Sequence, residues 1–203
     1  MATFKTIHSI FAFVFMFVLL PACQSFQQVP INIVQDTKFD FELKTLDNQP
    51  YLFKDIIQNH EATVLIWWAT QCPCVERFQE RIHSLKEQYS NKKVAFIAVA
   101  SNADDDFSRI QEVAQKRQFK LPIVLDLHAR LANLLNVQTT PTVALFDRNG
   151  NLMFHGWIDN ERTQAQPDRI AYLENAIDEV LAHKPVTLDR SATYGCMITK
   201  SLR

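Results

Sequence analysis

The stretch TVLIWWATQCPCVERFQERIHSL, residues 63–85, decides how this chain folds. Its opening run, residues 63–69, is apolar, as expected for a central strand that is buried on both faces. From Val75 onward, apolar side chains recur at three- and four-residue spacing, which predicts an amphipathic helix. A short loop ending in Cys-Pro-Cys, residues 72–74, joins the two. The segment therefore predicts a buried strand that leads directly into a helix with cysteines at its start.

The two cysteines of this loop are expected to differ in reactivity. Pro73 suits the first helical position, because its missing N–H would have had no partner there. Cys72 is then expected at the N-cap, where unpaired amides and the positive end of the helix dipole stabilise a thiolate. The thiolate is the nucleophilic form of cysteine. Cys74, two positions later, is expected to point away from Cys72. We therefore predict that Cys72 is the nucleophile.

The rest of the chain alternates between strand-like and helix-like patterns. Elements are predicted at residues 39–46 and 50–56 (a hairpin), 94–100 and 121–126 (strands), 104–117 and 127–135 (helices), 142–158 (a hairpin turning on Asn149-Gly150) and 167–184 (the last helix, with Pro167 near its start). The acids of residues 104–106 are placed in the first turn of their helix. This order predicts a three-layer α/β sandwich, a central mixed sheet flanked by helices, over residues 37–183. Residues 184–203 form a C-terminal tail that contains Cys196.

The first residues have the features of an export signal. Lys5 is followed by an apolar run at residues 10–20, shorter than the ~20 residues that span a bilayer. The sequence Leu-Pro-Ala-Cys that ends at Cys23 resembles a bacterial lipobox, in which that cysteine is lipidated. We therefore predict a signal peptide at residues 1–22, a tether at residues 23–36 and an exported protein in the cell envelope, lipid-anchored to the outer membrane. Ordinary cleavage nearby, releasing a soluble protein, is the alternative.

Composition limits the possible partners and chemistry. Hydrophobic residues make up 47% of the 203-residue chain and the formal net charge is -1, with no basic run. Electrostatic binding of nucleic acid is therefore not expected. Besides Cys23, the cysteines are Cys72, Cys74 and Cys196. An odd number of thiols in an oxidising compartment means that at least one is free or exchanging.

Three segments resemble one protein family. WWATQCPCVERF (67–78) is similar to the active-site segment of the thioredoxin-like superfamily, and VQTTPTVALFDRNGNL (137–152) resembles the loop that precedes its third core strand and contains the cis-proline position. HGWID (155–159) and HKPVTLDRSATYGCMI (183–198) resemble the redoxin subgroup, the alkyl hydroperoxide reductase/thiol-specific antioxidant family. The resemblance covers residues 37–198. It implies a thioredoxin-like fold with a cis Pro141 beside the reactive thiol, and substrate contacts by Trp68, Thr140 and Pro141.

The sequence departs from the family patterns at the reactive loop. Val75 occupies the position of the usual second cysteine, and Cys74 comes one residue early. Ala69 and Leu65 stand where peroxidatic enzymes of this group have threonine and proline. These departures argue against peroxidase activity.

The leading prediction is an envelope thiol–disulfide oxidoreductase without a cofactor or a resident metal. Cys72 attacks the disulfide of a protein or small-molecule substrate, and Cys74 or Cys196 resolves the mixed disulfide. A Cys72–Cys74 bridge would close a small, strained ring. Cys196 is about 12 residues beyond Lys184, and an extended segment of that length reaches up to about 40 Å.

Two alternatives remain open from the sequence. A thiol peroxidase would oxidise Cys72 to a sulfenic acid that condenses with Cys196. A soft-metal protein would hold an ion such as Cu(I) with two thiols and a histidine supplied by the fold. The histidines show no metal-ligand spacing, and His83 is predicted to be a surface group. Nothing in the sequence indicates the oligomeric state.

Overall fold

The computed structural model describes residues 30–161 and 167–200. The predicted signal peptide, Cys23 and the start of the tether lie outside these residues, so the predictions made for them stay predictions. No helix formed by the described residues is long and apolar enough to cross a membrane. The strands are β1 Leu43–Thr45, β2 Pro50–Tyr51, β3 Ala62–Trp68, β4 Val94–Ala100, β5 Ile123–Leu125, β6 Thr139–Thr140, β7 Val143–Asp147, β8 Leu152–Gly156 and β9 Cys196–Met197. The helices are α1 Phe53–Asn59, α2 Pro73–Gln88, α3 Phe107–Lys116, α4 Arg130–Leu134 and α5 Tyr172–Leu181, with 3₁₀ turns at Thr37–Phe39 and Leu127–Ala129.

The strands form a seven-stranded mixed sheet and a separate two-stranded one. The large sheet has the order β2-β1-β5-β4-β3-β7-β8, in which β3, β4 and β5 run parallel and the outer pairs antiparallel. The small sheet pairs β6 with β9. The predicted mixed sheet is confirmed, and both hairpins form, although the strands of the first (residues 43–45 and 50–51) are shorter than the predicted 39–46 and 50–56.

The central strand β3 is buried on both faces and separates two hydrophobic clusters. Trp68 and its alternate neighbours pack with the apolar faces of α2, α3 and α5. Trp67 and the residues that alternate with it pack on the opposite side with α1 and α4. Every residue of β3 is buried, which explains why the strand is an apolar run and not an alternating one. The three-layer α/β architecture predicted from the sequence is therefore confirmed.

Several element boundaries differ from the prediction; for example, the helix predicted over residues 127–135 divides into a 3₁₀ turn at Leu127–Ala129 and helix α4. The second hairpin strand ends at Tyr51, and Phe53–Asn59 forms helix α1, because Phe53 and Ile57, four residues apart, are both buried on one face. Helix α3 starts at Phe107, so the acids precede its first turn, and Asp106 is the N-cap that accepts from the Arg109 amide. Helix α5 starts at Tyr172, so Pro167 lies before it.

His83, predicted to lie at the surface, is 4% exposed. It lies on α2, and its Nε2 accepts a hydrogen bond from the Lys120 amide at 3.1 Å. Its ring packs against Phe119, with centroids 5.5 Å apart. The prediction for His83 was wrong because the segment after α3 folds back over this face of α2.

Candidate active site

Cys72 lies at the N-cap of α2, as predicted. Its backbone is extended (φ -93°, ψ 108°), Pro73 is the first helical residue, and the Cys72 carbonyl accepts the Glu76 amide at 3.3 Å. The Cys72 side chain is completely buried. The helix start thus positions the thiol at the end of β3, inside the protein.

An aspartate that the sequence analysis did not assign to the site holds the loop before Cys72. Asp105 accepts the Thr70 amide at 3.1 Å and also accepts the Thr70 hydroxyl. Arg109 Nε donates to the same hydroxyl oxygen at 3.2 Å. The sequence contained a signal for this role: three consecutive acids precede α3, and the helix cap uses only Asp106.

The segment around Pro141 faces Cys72. The Thr140–Pro141 peptide bond is cis, as the family resemblance implied. In its thiol form, Cys72 donates a hydrogen bond to the Thr140 carbonyl at 3.2 Å. The Thr140 and Pro141 side chains are buried, and Trp68 is completely buried against Phe119. In this conformation, none of these three side chains presents a surface to a partner.

The C-terminal tail brings the third thiol to Cys72. Strand β9 pairs antiparallel with β6, with Cys196 opposite Thr140, and the Ile198 amide donates to the Gln138 carbonyl at 2.8 Å. The sulfur atoms of Cys72, Cys74 and Cys196 all lie within 4.8 Å of one another, and all three cysteines are free. The structure therefore joins the three thiols that the sequence named, across more than a hundred residues of chain.

Specific contacts seat the tail. Trp157 donates from Nε1 to the Tyr194 carbonyl at 2.6 Å, and the two rings pack edge to face, 5.2 Å apart. The Trp157 amide donates to the Ser191 hydroxyl at 2.8 Å. Gly195 has φ +140°, and a Cβ at this position would lie 2.0 Å from the Thr140 carbonyl oxygen. Only glycine therefore allows Cys196 to approach β6 this closely.

The predicted divergence of Cys74 from Cys72 was wrong. That expectation applied helical spacing to both residues, but Cys72 precedes the helix and is extended. Its side chain consequently does not follow the helical rotation, and the two sulfur atoms lie within 4.8 Å. Cys74 is half-buried, so its thiol belongs to the site but lies on the side of the site that faces solvent.

Burial and hydrogen bonding give the three thiols different pKa values. Burial opposes ionisation of Cys72, but hydrogen bonds from the Cys196 thiol and the Val75 amide outweigh it, so the pKa of Cys72 is below its ordinary value. Burial, and then the neighbouring Cys72, raise the pKa of Cys196 to about 12. Burial and the charge of Cys72 also raise the pKa of Cys74. Cys72 is therefore the thiol that ionises first.

Comparison with known proteins agrees with this fold. The pattern of the AhpC/TSA family matches residues 34–155, more than half of the chain. The chain belongs to the AhpC/TSA family. This match confirms the redoxin subgroup that the sequence segments indicated, and it spans both β3 with its cysteine loop and the Thr140–Pro141 segment.

Named relatives and solved structures extend the comparison. Thiol-disulfide oxidoreductase ResA of Geobacillus kaustophilus (strain HTA426) is 28% identical over 119 residues, which cover 59% of this chain and 66% of that protein. The chain thus matches just under two thirds of the length of this relative. An uncharacterized conserved protein from Geobacillus kaustophilus superposes with a TM-score of 0.72 at 24% identity, covering 80% of this chain and 89% of that one. MTB dsbF, solved in mixed oxidized and reduced forms, gives a TM-score of 0.55 at 20% identity, and the superposition covers 71% of this chain and 98% of that one. These likenesses confirm the thioredoxin-like fold.

Proposed function

We propose that this member of the AhpC/TSA family is an exported thiol–disulfide oxidoreductase that uses Cys72 as its nucleophile and Cys196 as its resolving thiol. The observation that carries the proposal is the β6–β9 pairing, which holds Cys196 opposite Thr140 and beside the buried sulfur of Cys72. The name of the ResA relatives, thiol-disulfide oxidoreductase, supports the same reaction class.

The proposed reaction has two exchange steps. The Cys72 thiolate attacks one sulfur of a substrate disulfide, and the other sulfur leaves as a thiolate that takes up a proton. Cys196 then attacks the Cys72 sulfur of the mixed disulfide, which releases the second substrate thiol and leaves a Cys72–Cys196 disulfide. The substrate gains two electrons and two protons, and the protein loses them. The reverse sequence oxidises a dithiol substrate.

The structure also provides a reason for the order of the steps. Burial and the sulfur of Cys72 together suppress ionisation of Cys196, whose pKa is raised to about 12 while Cys72 is free. Formation of the mixed disulfide removes the charge on Cys72 and its hydrogen bond to Cys196. Both contributions of Cys72 to the raised pKa of Cys196 thus disappear, so the resolving thiol becomes more reactive after the first exchange.

Cys196 is a better resolving thiol than Cys74 on geometric grounds. Cys74 is fixed in the first turn of α2, so a bridge to the residue two positions earlier requires distortion of the helix start. Cys196 lies on a separate strand that faces the site, and its backbone is independent of the helix. We assign Cys74 a secondary role as an alternative exchange partner.

The location of the protein in the envelope is part of the proposal. A stable thiol–disulfide cycle of this kind suits an oxidising compartment. We propose that residues 1–22 are removed as a signal peptide and that Cys23 is lipidated at the outer membrane. Mass measurement of the mature N-terminus tests this: a diacylglycerol-modified Cys23 is expected, and a soluble product in a Cys23→Ser variant. An unmodified N-terminus in the parent protein would refute the anchor.

Disulfide mapping tests the catalytic assignment. The protein is incubated with oxidised glutathione and quenched with acid, and its disulfides are identified by mass spectrometry. We expect a Cys72–Cys196 bridge in the parent and in Cys74→Ser. Cys196→Ser should accumulate a long-lived Cys72–glutathione adduct. A Cys72–Cys74 bridge that forms equally fast with and without Cys196 would assign the resolving role to Cys74 instead.

A further inference from the structure

The three thiols form a compact cluster with a geometry that their exchange chemistry does not require. A disulfide needs two sulfur atoms, yet the sulfur atoms of Cys72, Cys74 and Cys196 are mutually within 4.8 Å. They come from three places in the fold: the N-cap of α2, its first turn and strand β9. The contacts that seat the tail, above all those of Trp157 and Gly195, hold this arrangement together.

The spacing fits three-coordinate metal binding. A metal–thiolate bond is about 2.3 Å long, so an ion centred in the plane of three sulfur atoms separates them by about 4.0 Å. In the structure, the distances between the three sulfur atoms are at most 4.8 Å. Closing that difference requires each sulfur atom to move by about 0.5 Å, which is within the range of small side-chain rotations.

The ligand set indicates which ion fits. Thiolates are soft ligands that select ions such as Cu(I) and Zn(II). Zn(II) in proteins is almost always four-coordinate. Within residues 30–161 and 167–200, however, the group contains only the three cysteines, without an imidazole or carboxylate. Cys72 is also completely buried, which limits access of water as a fourth ligand. We propose that the fully reduced protein binds one Cu(I) ion through the sulfur atoms of Cys72, Cys74 and Cys196.

This site and the proposed exchange reaction exclude each other at any one moment. Binding releases the thiol protons and changes no oxidation state, because the copper is supplied as Cu(I). Any disulfide between two of the cysteines removes two of the three ligands. The inference goes beyond the proposed function and does not depend on it, since binding is measured on the reduced protein without a disulfide substrate.

The experiment is an anaerobic titration of the reduced full chain with Cu(I) against a chromogenic Cu(I) chelator. The Cys23→Ser background is used so that only the cluster contributes thiols. We expect one ion per chain, and three sulfur neighbours at about 2.3 Å by X-ray absorption. Cys74→Ser and Cys196→Ser should each weaken binding by at least about 100-fold. Met197→Leu, which changes an exposed sulfur next to Cys196, is the matched control and should leave binding unchanged.

The outcomes separate this inference from the proposed function. Cu(I) bound as tightly by Cys196→Ser as by the parent would overturn the three-thiol site, since two thiols would then suffice. Binding of Zn(II) with no competitive binding of Cu(I) would overturn the choice of ion. The parent protein distinguishes the two proposals: binding of one Cu(I) without formation of a Cys72–Cys196 disulfide in oxidised glutathione would refute the proposed function alone, and disulfide formation without Cu(I) binding would refute this inference alone. Intact folding of each variant is checked by circular dichroism.

Discussion

Gly195 provides the most direct test of the seated tail. Its φ is +140°, and an alanine Cβ would lie only 2.0 Å from the Thr140 carbonyl oxygen, so alanine cannot occupy this position without backbone movement. A non-glycine residue in such a conformation is strained by about 1–3 kcal/mol. The reduced Gly195→Ala protein can relieve this strain by releasing β9 from β6, whereas a Cys72–Cys196 disulfide keeps Cys196 beside Thr140.

The substitution should therefore destabilise the disulfide relative to the dithiol by up to the strain energy. A cost of about 1–3 kcal/mol corresponds to a change of about 5- to 150-fold in the exchange equilibrium. For a two-electron couple this raises the reduction potential by about 20–65 mV. The measurement is equilibration with glutathione buffers of defined potential in the Cys74→Ser background, so that only one disulfide forms.

Gly150→Ala is the matched control for Gly195→Ala. Gly150 also has a positive φ, +84°, and a Cβ there would meet the Val34 side chain at 2.5 Å, but it lies in the β7–β8 turn and not at the thiols. It should lower the free energy of unfolding without changing the reduction potential. An unchanged potential in Gly195→Ala, or an equal change in both variants, would show that the pairing of β9 with β6 does not set the stability of the disulfide.

Further predictions concern the loop, the buried histidine and peroxide. Asp105→Asn should cost about 1–2 kcal/mol of unfolding free energy in urea titration, because charged hydrogen bonds to Thr70 are lost; a variant as stable as the parent would contradict the role of Asp105. Burial lowers the pKa of His83 in the folded state, so the unfolded chain binds more protons below about pH 6.5 and the parent loses stability as pH falls through that range. His83→Gln should reduce this loss in pH-dependent thermal unfolding, and a loss equal to that of the parent would contradict the role of His83. Reduced protein should consume hydrogen peroxide slowly, because Ala69 replaces the threonine of the peroxidatic motif; a rate similar to its rate with oxidised glutathione would favour the peroxidase alternative.

The sequence was informative where one local pattern decides the structure. The apolar run of β3 and the position of Pro73 predicted the buried strand and the N-cap cysteine correctly, because both depend on neighbouring residues alone. Helix α1 was missed, since its seven residues give too short a pattern to separate helix from strand. The role of Asp105 depends on a contact with Thr70, 35 residues away, which no local pattern reports.

The position of the C-terminal tail also could be predicted only in part from the sequence. Chain length permitted Cys196 to reach Cys72, but it could not specify the partner of β9. That partner is β6, and the pairing requires the φ of Gly195 and the anchor at Trp157. Of the three glycines of the chain, Gly195 is the one that matters for the thiols.

Because β9 occupies the edge of β6, the proposed substrate entry and the proposed resolution step would use the same strand. An extended peptide can pair with Thr140 only after Cys196 has left it, and that movement removes the proposed resolving thiol from Cys72. A small disulfide does not pair with the edge of β6, so it needs only a local opening beside the half-buried Cys74 to reach the buried Cys72. Gly195→Ala should therefore speed the first exchange with a protein disulfide but prolong the mixed disulfide that follows. With oxidised glutathione, only the second effect should appear. Equal acceleration of both substrates in stopped-flow measurements would show that the tail controls access to Cys72 without selecting between substrates.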